Sequence, residues 1–501
     1  MKSFSTVSIL FAAAFAVAAQ TNTDTDMGAT RAMSLTDCIR QALAQNYDVQ
    51  IQRINPQISL DNLNAAYSGY YPTFTMSGQH NYSASPGSYN SYTGTNSPTQ
   101  ISQENSFSSG FSGGLLPWTG LQYSLNGNLR KTYGLSSGAP PSTFGSVGVT
   151  LTQPLLKNLW IDSTRLNIRV NKNLLQQSEQ ALRQSIISDV TLVANAYYDL
   201  IYAQQNVQVQ TNALLLAQTQ LDQDKQRVQI GTLAQLSVQQ DESAVAQNQA
   251  SLIAAQSTLD TDQNTLKNLL TDDYTHWHGT DIQPTETLLA PQETFNLQDS
   301  WAKGMAERPD LLQAKLSVEH YGIELKYARN QLLPELDLIG SYGYSGAGTA
   351  YENSVDQIGA GNAPNYYYGA QITVPLGNVG PRNQYKAAKA SLQQVALQFK
   401  QLEQSILVDI DNAVKQAESD YQSVQATKQA RIYAEAALDA EQKTYTVGKA
   451  TTFEVLTYQN NLTAARGQEI LALDNYEKAL ANLAQQEGTT LQRYNINLEA
   501  K

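Results

Sequence analysis

Residues 161–231 read IDSTRLNIRVNKNLLQQSEQALRQSIISDVTLVANAYYDLIYAQQNVQVQTNALLLAQTQLDQDKQRVQIG. No proline or glycine interrupts the run before Gly231, and Ala, Gln, Leu and Asn dominate it. Leu182, Ile186, Ile187, Val190, Val193, Ala194, Tyr197, Tyr198 and Ile201 recur at spacings of three and four, which is the pattern of an amphipathic helix. A single helix over 161–230 reaches about 105 Å at ~1.5 Å per residue. Such a helix needs a partner along its length, because the interior propensity of a polar helix is marginal in water. A second glycine-free run, Arg382 to Val447, ends at Gly448 and supplies one.

Beyond each glycine the helical pattern resumes, over 235–270 and 452–486. The turns themselves align, RVQIGTLAQLSV (227–238) with TYTVGKATTFEV (444–455). Before the long helices the correspondence is closer. Ser34-Leu-Thr-Asp37 and Asn296-Leu-Gln-Asp299 both open a helix, the first with a capping-box pattern. At that constant shift of 262 positions Asp48 falls on Asp310, Ala66 on Ala328, Pro72 on Pro334 and Gly78 on Gly340. The chain therefore reads as an internal duplication. One copy covers 34–294, with helices over 34–46, 48–71, 161–230 and 235–270. The other covers 295–487, with helices over 296–307, 309–332, 381–447 and 452–486. Pro56 is expected to kink or break its helix near Asn55.

Between the helices lie alternating runs. Strands are expected over about 73–83, 145–153, 335–345 and 366–375, each with one apolar side, such as Phe74, Met76 and Tyr82, or Val147, Val149 and Leu151. Their length suits strands that cross a bilayer. Tyr67, Tyr70, Tyr71, Trp118, Trp160, Tyr366 and Tyr367 crowd their ends, as an interfacial belt requires. A soluble β-domain with an ordinary core is the competing reading. Long Gly/Ser/Tyr/Asn-rich loops (84–105 and 346–364) join each pair. The first half carries an additional alternating hairpin, 107–133 around Pro117-Trp118-Thr119-Gly120. The pattern leaves open whether it adds barrel strands or stands on the outer loop.

Composition limits the function. The net charge of −12 argues against nucleic acid or an anionic membrane surface as partner. Residues 1–19 read as an export signal ending at Ala16-Val17-Ala18, and 20–33 as a disordered N-terminus. Cys38 has no second cysteine to pair with. His276-Trp-His278 would set two imidazoles on one side of a strand, too few ligands for zinc, so a structural role is expected and no metal or other cofactor. No Ser-His-Asp, phosphate-loop or paired-carboxylate signature is present, so the chain is not read as an enzyme.

Two strand pairs are four strands, fewer than the roughly eight that close a membrane barrel, and lipid does not tolerate open edges. Closure then needs further copies; three supply twelve strands. The fold class expected is an α+β membrane protein, a long helical barrel joined to a transmembrane antiparallel β-barrel and closed by trimerisation. Helices and linkers near 34–46, 271–307 and 488–501 form an equatorial belt.

At this point the chain resembles the TolC-type outer membrane efflux proteins. The resemblance rests on the duplication, SLTDCIRQAL (34–43), ERPDLLQA (307–314), the strand start at Pro334, the Pro-Leu after the second strands (154–155, 375–376) and the two glycine tips. It covers nearly the whole chain after residue 33. It implies a homotrimer in outer membrane lipid, a twelve-stranded barrel, and docking to a periplasmic adaptor protein and an inner-membrane pump of a tripartite efflux or type I secretion system. The alternative is a periplasmic helical adaptor or scaffold without a membrane barrel. The resemblance implies an adaptor-docking role for Ile230, Gly231, Thr232 and Leu233 and for Val447, Gly448, Lys449 and Ala450; a plain helix hairpin is the other reading. It also implies that Tyr445 and Glu454 gate the pore, against a solvated helix face. Thr457 and Ala450 stand where the family carries a second acid and an arginine.

Overall fold

The computed structural model describes residues 30–496 apart from 97, 117, 118 and 136; the expected signal over 1–19, Trp118 and the end of the tail lie outside the described residues. The first half runs β1 (Thr30–Met33), α1 (Leu35–Gln45), α2 (Tyr47–Ala66), β2 (Thr73–Ser85), a small outer hairpin of β3 (Tyr89–Asn90) and β4 (Thr95–Asn96), then β5 (Gln100–Leu116), β6 (Leu121–Tyr133) and β7 (Ser142–Pro154). The helices α3 (Ser163–Gln229) and α4 (Gln235–Leu270) follow, then a helical turn α5 (Tyr274–Trp277) and β8 (Asp281–Pro284). The second half has α6 (Leu297–Glu307), α7 (Pro309–Asn330), β9 (Glu335–Gly348), α8 (Tyr351–Ala360), β10 (Pro364–Thr373), α9 (Val379–Thr446), α10 (Thr452–Glu487) and α11 (Thr490–Arg493).

The long helices form because nothing in them opposes helix. Asp162 caps α3 by accepting from the Arg165 N–H, and the 67 residues of α3 and 68 of α9 run on without interruption, roughly 100 Å each. Each turns back on itself, so that α3 packs on α4 and α9 on α10, while α10 also lies against α3. Towards the other end the layer is α2, α3, α7 and α9 in that order. Midway, a core of Ile186, Ile187, Val190, Tyr197 and Leu200 from α3 meets Cys38 and Ile39 of α1, Leu266 and Leu270 of α4 and Ile282 of β8. A second core joins Leu311 to Ile406, Ile410 and Leu483 around Trp301.

The ERPD segment is part of this middle belt. Glu307 pairs with Arg183 of α3 at 2.8 Å. Arg308 grips Asp310 through two nitrogens (3.0 and 2.6 Å) and donates to the Gln486 side chain at 2.8 Å. A planar bidentate pair of this kind fixes orientation as well as charge.

All six long strands lie in one antiparallel sheet, in the order β10-β9-β7-β6-β5-β2. The 107–133 hairpin is therefore inside the sheet: β5 pairs with β2 from Thr73↔Ser112 to Ser85↔Gln100, and β6 with β7 from Gln122↔Thr152 to Thr132↔Ser142. Side chains alternate across it. One row reads Phe74, Phe111, Leu125, Val149, Tyr342, Tyr366 through successive strands. The neighbouring row, on the opposite face, reads Thr75, Gly110, Asn126, Gly148, Gly343, Asn365. At the outer end α8 folds over the apolar face, with Ser354 buried against Thr143 at 2.6 Å.

Four expectations are corrected. Residues 30–33 are ordered as β1, which pairs in parallel with β8; the partner lies some 250 residues away and leaves no local trace in a polar segment. Of the kink or break expected near Asn55, the break does not occur, since α2 runs through Pro56 and packs along α3. His276 lies on the turn α5 rather than on a strand, because Asp273 caps that turn by accepting from the His276 N–H. The strand supply is six per chain and not four, because β5 and β6 complete the ladder between β2 and β7.

Candidate functional site at the helical tip

Both long helices end in the same turn. Gly231 and Gly448 each take φ +76°, in the left-handed region that glycine enters without a Cβ clash. In the first turn the Thr232 N–H donates to the Arg227 carbonyl (2.9 Å) and the Gly231 N–H to Val228 (3.0 Å). In the second, Lys449 donates to Thr444 and Gly448 to Tyr445, both at 3.0 Å. These six-to-one and five-to-two bonds close the helix ends. Ile230 and Val447 are left 74% and 68% exposed at the apex, beside Leu233 in the one turn and Lys449 and Ala450 in the other.

The second turn is tied to the first hairpin. Tyr445 is buried, and its hydroxyl donates to the Asp224 carboxylate of α3, 2.6 Å from each oxygen. The Thr452 hydroxyl and the Gln220 amide also donate to Asp224, at 3.2 and 3.1 Å. The Arg227 guanidinium lies 4.5 Å from the Tyr445 ring centroid, a cation–π contact. Arg227 reaches Tyr445 from α3, across the hairpins, while position 450 is alanine. Burial and the bond to Asp224 push the Tyr445 hydroxyl up to about 12, so it stays a donor.

Asp241 of α4 completes the cluster. It is buried, as Asp224 is, and burial followed by its contact with Asp224 pushes it up to about 7. Neither of its carboxylate oxygens has a donor among the described residues. Two abutting carboxylates in a dry site hold a proton between them, since both cannot ionise cheaply. A proton on Asp241 removes the repulsion between the two carboxylates.

Glu454 is placed differently. It is exposed and closes a capping box at the start of α10, accepting from the Thr451 N–H at 2.7 Å. That bond to the Thr451 backbone holds its carboxyl below the usual range, so it is charged. Tyr445 and Glu454 thus face different surroundings: one is an internal tie and the other a charge at the turn. Asp224, Asp241, Thr452 and Arg227 escaped sequence reading, although a signal existed. Ala213, Ala217, Gln220 and Asp224 share one buried helical stripe, so a carboxylate sits on a face that should be apolar.

The fold has counterparts in known proteins. The sequence profile of the outer membrane efflux protein family matches residues 38–271 and 303–489. The outer membrane protein TolC of Escherichia coli K12 is 26% identical over 405 residues, 75% of each chain. The outer membrane efflux protein BepC of Brucella suis is 25% identical over 345 residues, 67% of this chain and 71% of its own. Among solved structures, the outer-membrane channel OprN superposes with a TM-score of 0.68 at 16% identity, over 91% of this chain and 90% of its own. The CmeC outer membrane channel of Campylobacter jejuni gives 0.65 at 15%, over 93% and 90%. The chain belongs to the outer membrane efflux protein family and is a transport protein of the outer membrane, not an enzyme.

Proposed function

We propose that this chain is the outer membrane conduit of a tripartite export system. Three copies, each built by duplication of one unit, close a β-barrel in the lipid and a helical tube in the periplasm. Substrate passes passively, and the energy comes from an inner-membrane pump reached through a periplasmic adaptor that grips the two tips. The observation that carries this reading is how much of one chain is left uncovered. The sheet is apolar on one face and open at β2 and β10, and six strands cannot close a barrel alone. On α2, Tyr47, Ile51, Ile54 and Ile58 form a stripe at spacings of four and three, each more than half exposed. Such a stripe is one side of a helix–helix seam. A neighbouring copy covers both.

In this reading Ile230-Leu233 and Val447-Ala450 dock the adaptor, and the Tyr445–Asp224 tie holds the tip narrow until docking draws the hairpins apart. Glu454 adds a ring of charge at the turn that favours cations. Residues 1–19 direct export and are removed. Electron microscopy of protein extracted by detergent from the outer membrane fraction tests the reading. A three-fold cylinder of about 100 Å or more beyond the micelle is expected from the helix lengths. A soluble, micelle-free particle would overturn it.

A further inference from the structure

We infer that the assembled channel is an 18-stranded barrel, wider than the twelve-stranded one the family resemblance implies, and that each copy joins the next through β2 and β10. The inference rests on the three-copy conduit reading above. It starts from where the 107–133 hairpin lies. It is not appended to the sheet's edge; it separates β2 from β7, and both its strands are laddered along nearly their whole length. Leaving it out of the barrel would break both ladders and require β2 and β7 to pair anew.

Its side chains match the strands around it. Phe107, Phe111, Leu125 and Leu129 fall on the apolar face with Val149 and Tyr342. Ser108, Gly110, Asn126 and Asn128 fall on the polar face. Apolar outside and polar inside is the demand of a membrane barrel with a wet lumen, and a hairpin standing in water has no need of a continuous apolar face. The turn at Gly120 lies at the helical end, where the Gln153 amide donates to the Thr119 carbonyl at 2.8 Å. The hairpin therefore traverses the same thickness as its neighbours.

The edges also fit. With six strands alternating in direction, β2 leaves the helices and β10 returns to them, so β10 of one copy meets β2 of the next in antiparallel sense. Three copies of six strands make 18. Circumference gives an independent check. Near the sheet each copy presents four helices, α2, α3, α7 and α9, so three copies present twelve. At helix spacings of 8–10 Å the tube measures roughly 95–120 Å around. Strands ~4.8 Å apart and tilted by ~40° give about 113 Å for 18 and about 75 Å for twelve. The larger barrel meets the helical tube with little taper, and its bore is roughly half as wide again, since diameter grows about linearly with strand number. It lies in the size class of barrels that keep an aqueous channel.

Electron cryo-microscopy of the full chain in lipid nanodiscs counts the strands directly. Eighteen strands under three-fold symmetry are expected. A three-fold particle with twelve strands and the hairpin outside the wall would overturn the inference and leave the conduit standing; absence of any three-fold membrane particle would overturn both. Accessibility gives a second readout, helped by the sole cysteine, Cys38, being buried. Leu125→Cys and Asn126→Cys place thiols on opposite faces of β6. In reconstituted vesicles a polar maleimide should label Asn126→Cys roughly tenfold faster or more, because Leu125→Cys faces lipid. Equal rates would overturn the inference.

Discussion

The two halves of the chain agree almost residue for residue in their helices and disagree in their strands. The long helices have 67 and 68 residues, the returning helices 36 each and the opening helices 11 each. Yet the first half gives four strands to the sheet and the second gives two. Length in the helices is set by partners: α3 must reach the tip together with α9, and a change in one would leave the other's apolar stripe uncovered. A sheet grows differently. A hairpin slotted between two strands restores each ladder it interrupts and leaves the helices untouched. The comparison therefore separates what is locked by register from what can be widened.

Both long helices end in the same glycine turn, and breaking one should have the largest effect. Gly448→Pro cannot hold φ +76° and removes the N–H given to Tyr445, at a cost of roughly 3 kcal/mol or more to the turn. The sheet lies at the other end of the long helices, so under the conduit reading membrane-inserted trimers should form normally while export is abolished in a complementation assay. Gly231→Pro strains the first turn equally but leaves residue 448 and its bonds in place. If Gly448→Pro exported normally, the tip would have no docking role.

The sheet is where the halves differ, and charge on its apolar face sharpens the difference. Val149→Arg lies in a strand both readings place in the membrane, and Leu125→Arg in the inserted hairpin. Each should destabilise the inserted barrel by about 2–4 kcal/mol in denaturant unfolding from vesicles. Asn126→Arg, on the opposite face, should cost little. A hairpin outside the wall would leave Leu125→Arg as mild as Asn126→Arg.

Next in size is the tie between the halves. Tyr445→Phe leaves Asp224 short of its strongest donor, worth about 1–3 kcal/mol for a buried carboxylate. The expected readout is a higher resting conductance in planar bilayers. Asp241 adds a pH dependence whose sign is fixed by its raised pKa of about 7. The folded tip binds a proton that the unfolded chain releases near the ordinary carboxylate value of 3.8, so stability declines from about pH 4 to about pH 7. Conductance should therefore be lower at pH 6 than at pH 8. Asp241→Asn, which keeps a permanent donor towards Asp224, should hold the low conductance at both.

How much of this was legible in the sequence depends on whether the cause is local. The long helices follow from glycine-free runs, and the halves from Pro72 over Pro334 and Gly78 over Gly340; each is written in neighbouring residues. The alternation of 107–133 marks strands but not their neighbours, because a period of two says which face is apolar and nothing about pairing. The hairpin's place is set by β5 lying beside β2 and β6 beside β7, pairings between residues distant in sequence. Tyr445 was legible as a tip residue, but its partner Asp224 lies 221 positions earlier. The helix α8 hides in a loop rich in glycine and tyrosine, and is held by Ser354 meeting Thr143 from 211 positions away.

The smallest effect concerns the helix caps that follow the two turns, where the tips differ. After the second turn, Thr451 caps α10, its hydroxyl accepting from the Glu454 N–H at 3.3 Å while Glu454 answers with its carboxylate. After the first turn, Ala234 occupies the corresponding position and no side chain caps α4. The backbone at Ala234 is already extended, at φ −77° and ψ 146°, so a hydroxyl introduced there can accept from the first-turn amides at Leu236 and Ser237, the latter now donating to the Ala234 carbonyl at 3.1 Å. Ala234→Ser should stabilise the α3–α4 tip by about 0.5–1 kcal/mol, and Thr451→Ala should weaken the other by about as much. Hydrogen exchange of the first-turn amides of α4 and α10 reads both. Slower exchange at α4 in Ala234→Ser, with α10 unchanged, would show that the two tips are separate cooperative units despite the Tyr445 contacts with Asp224 and Arg227. If protection moved at both tips together, the Tyr445–Asp224 tie would be strong enough to make them open as one.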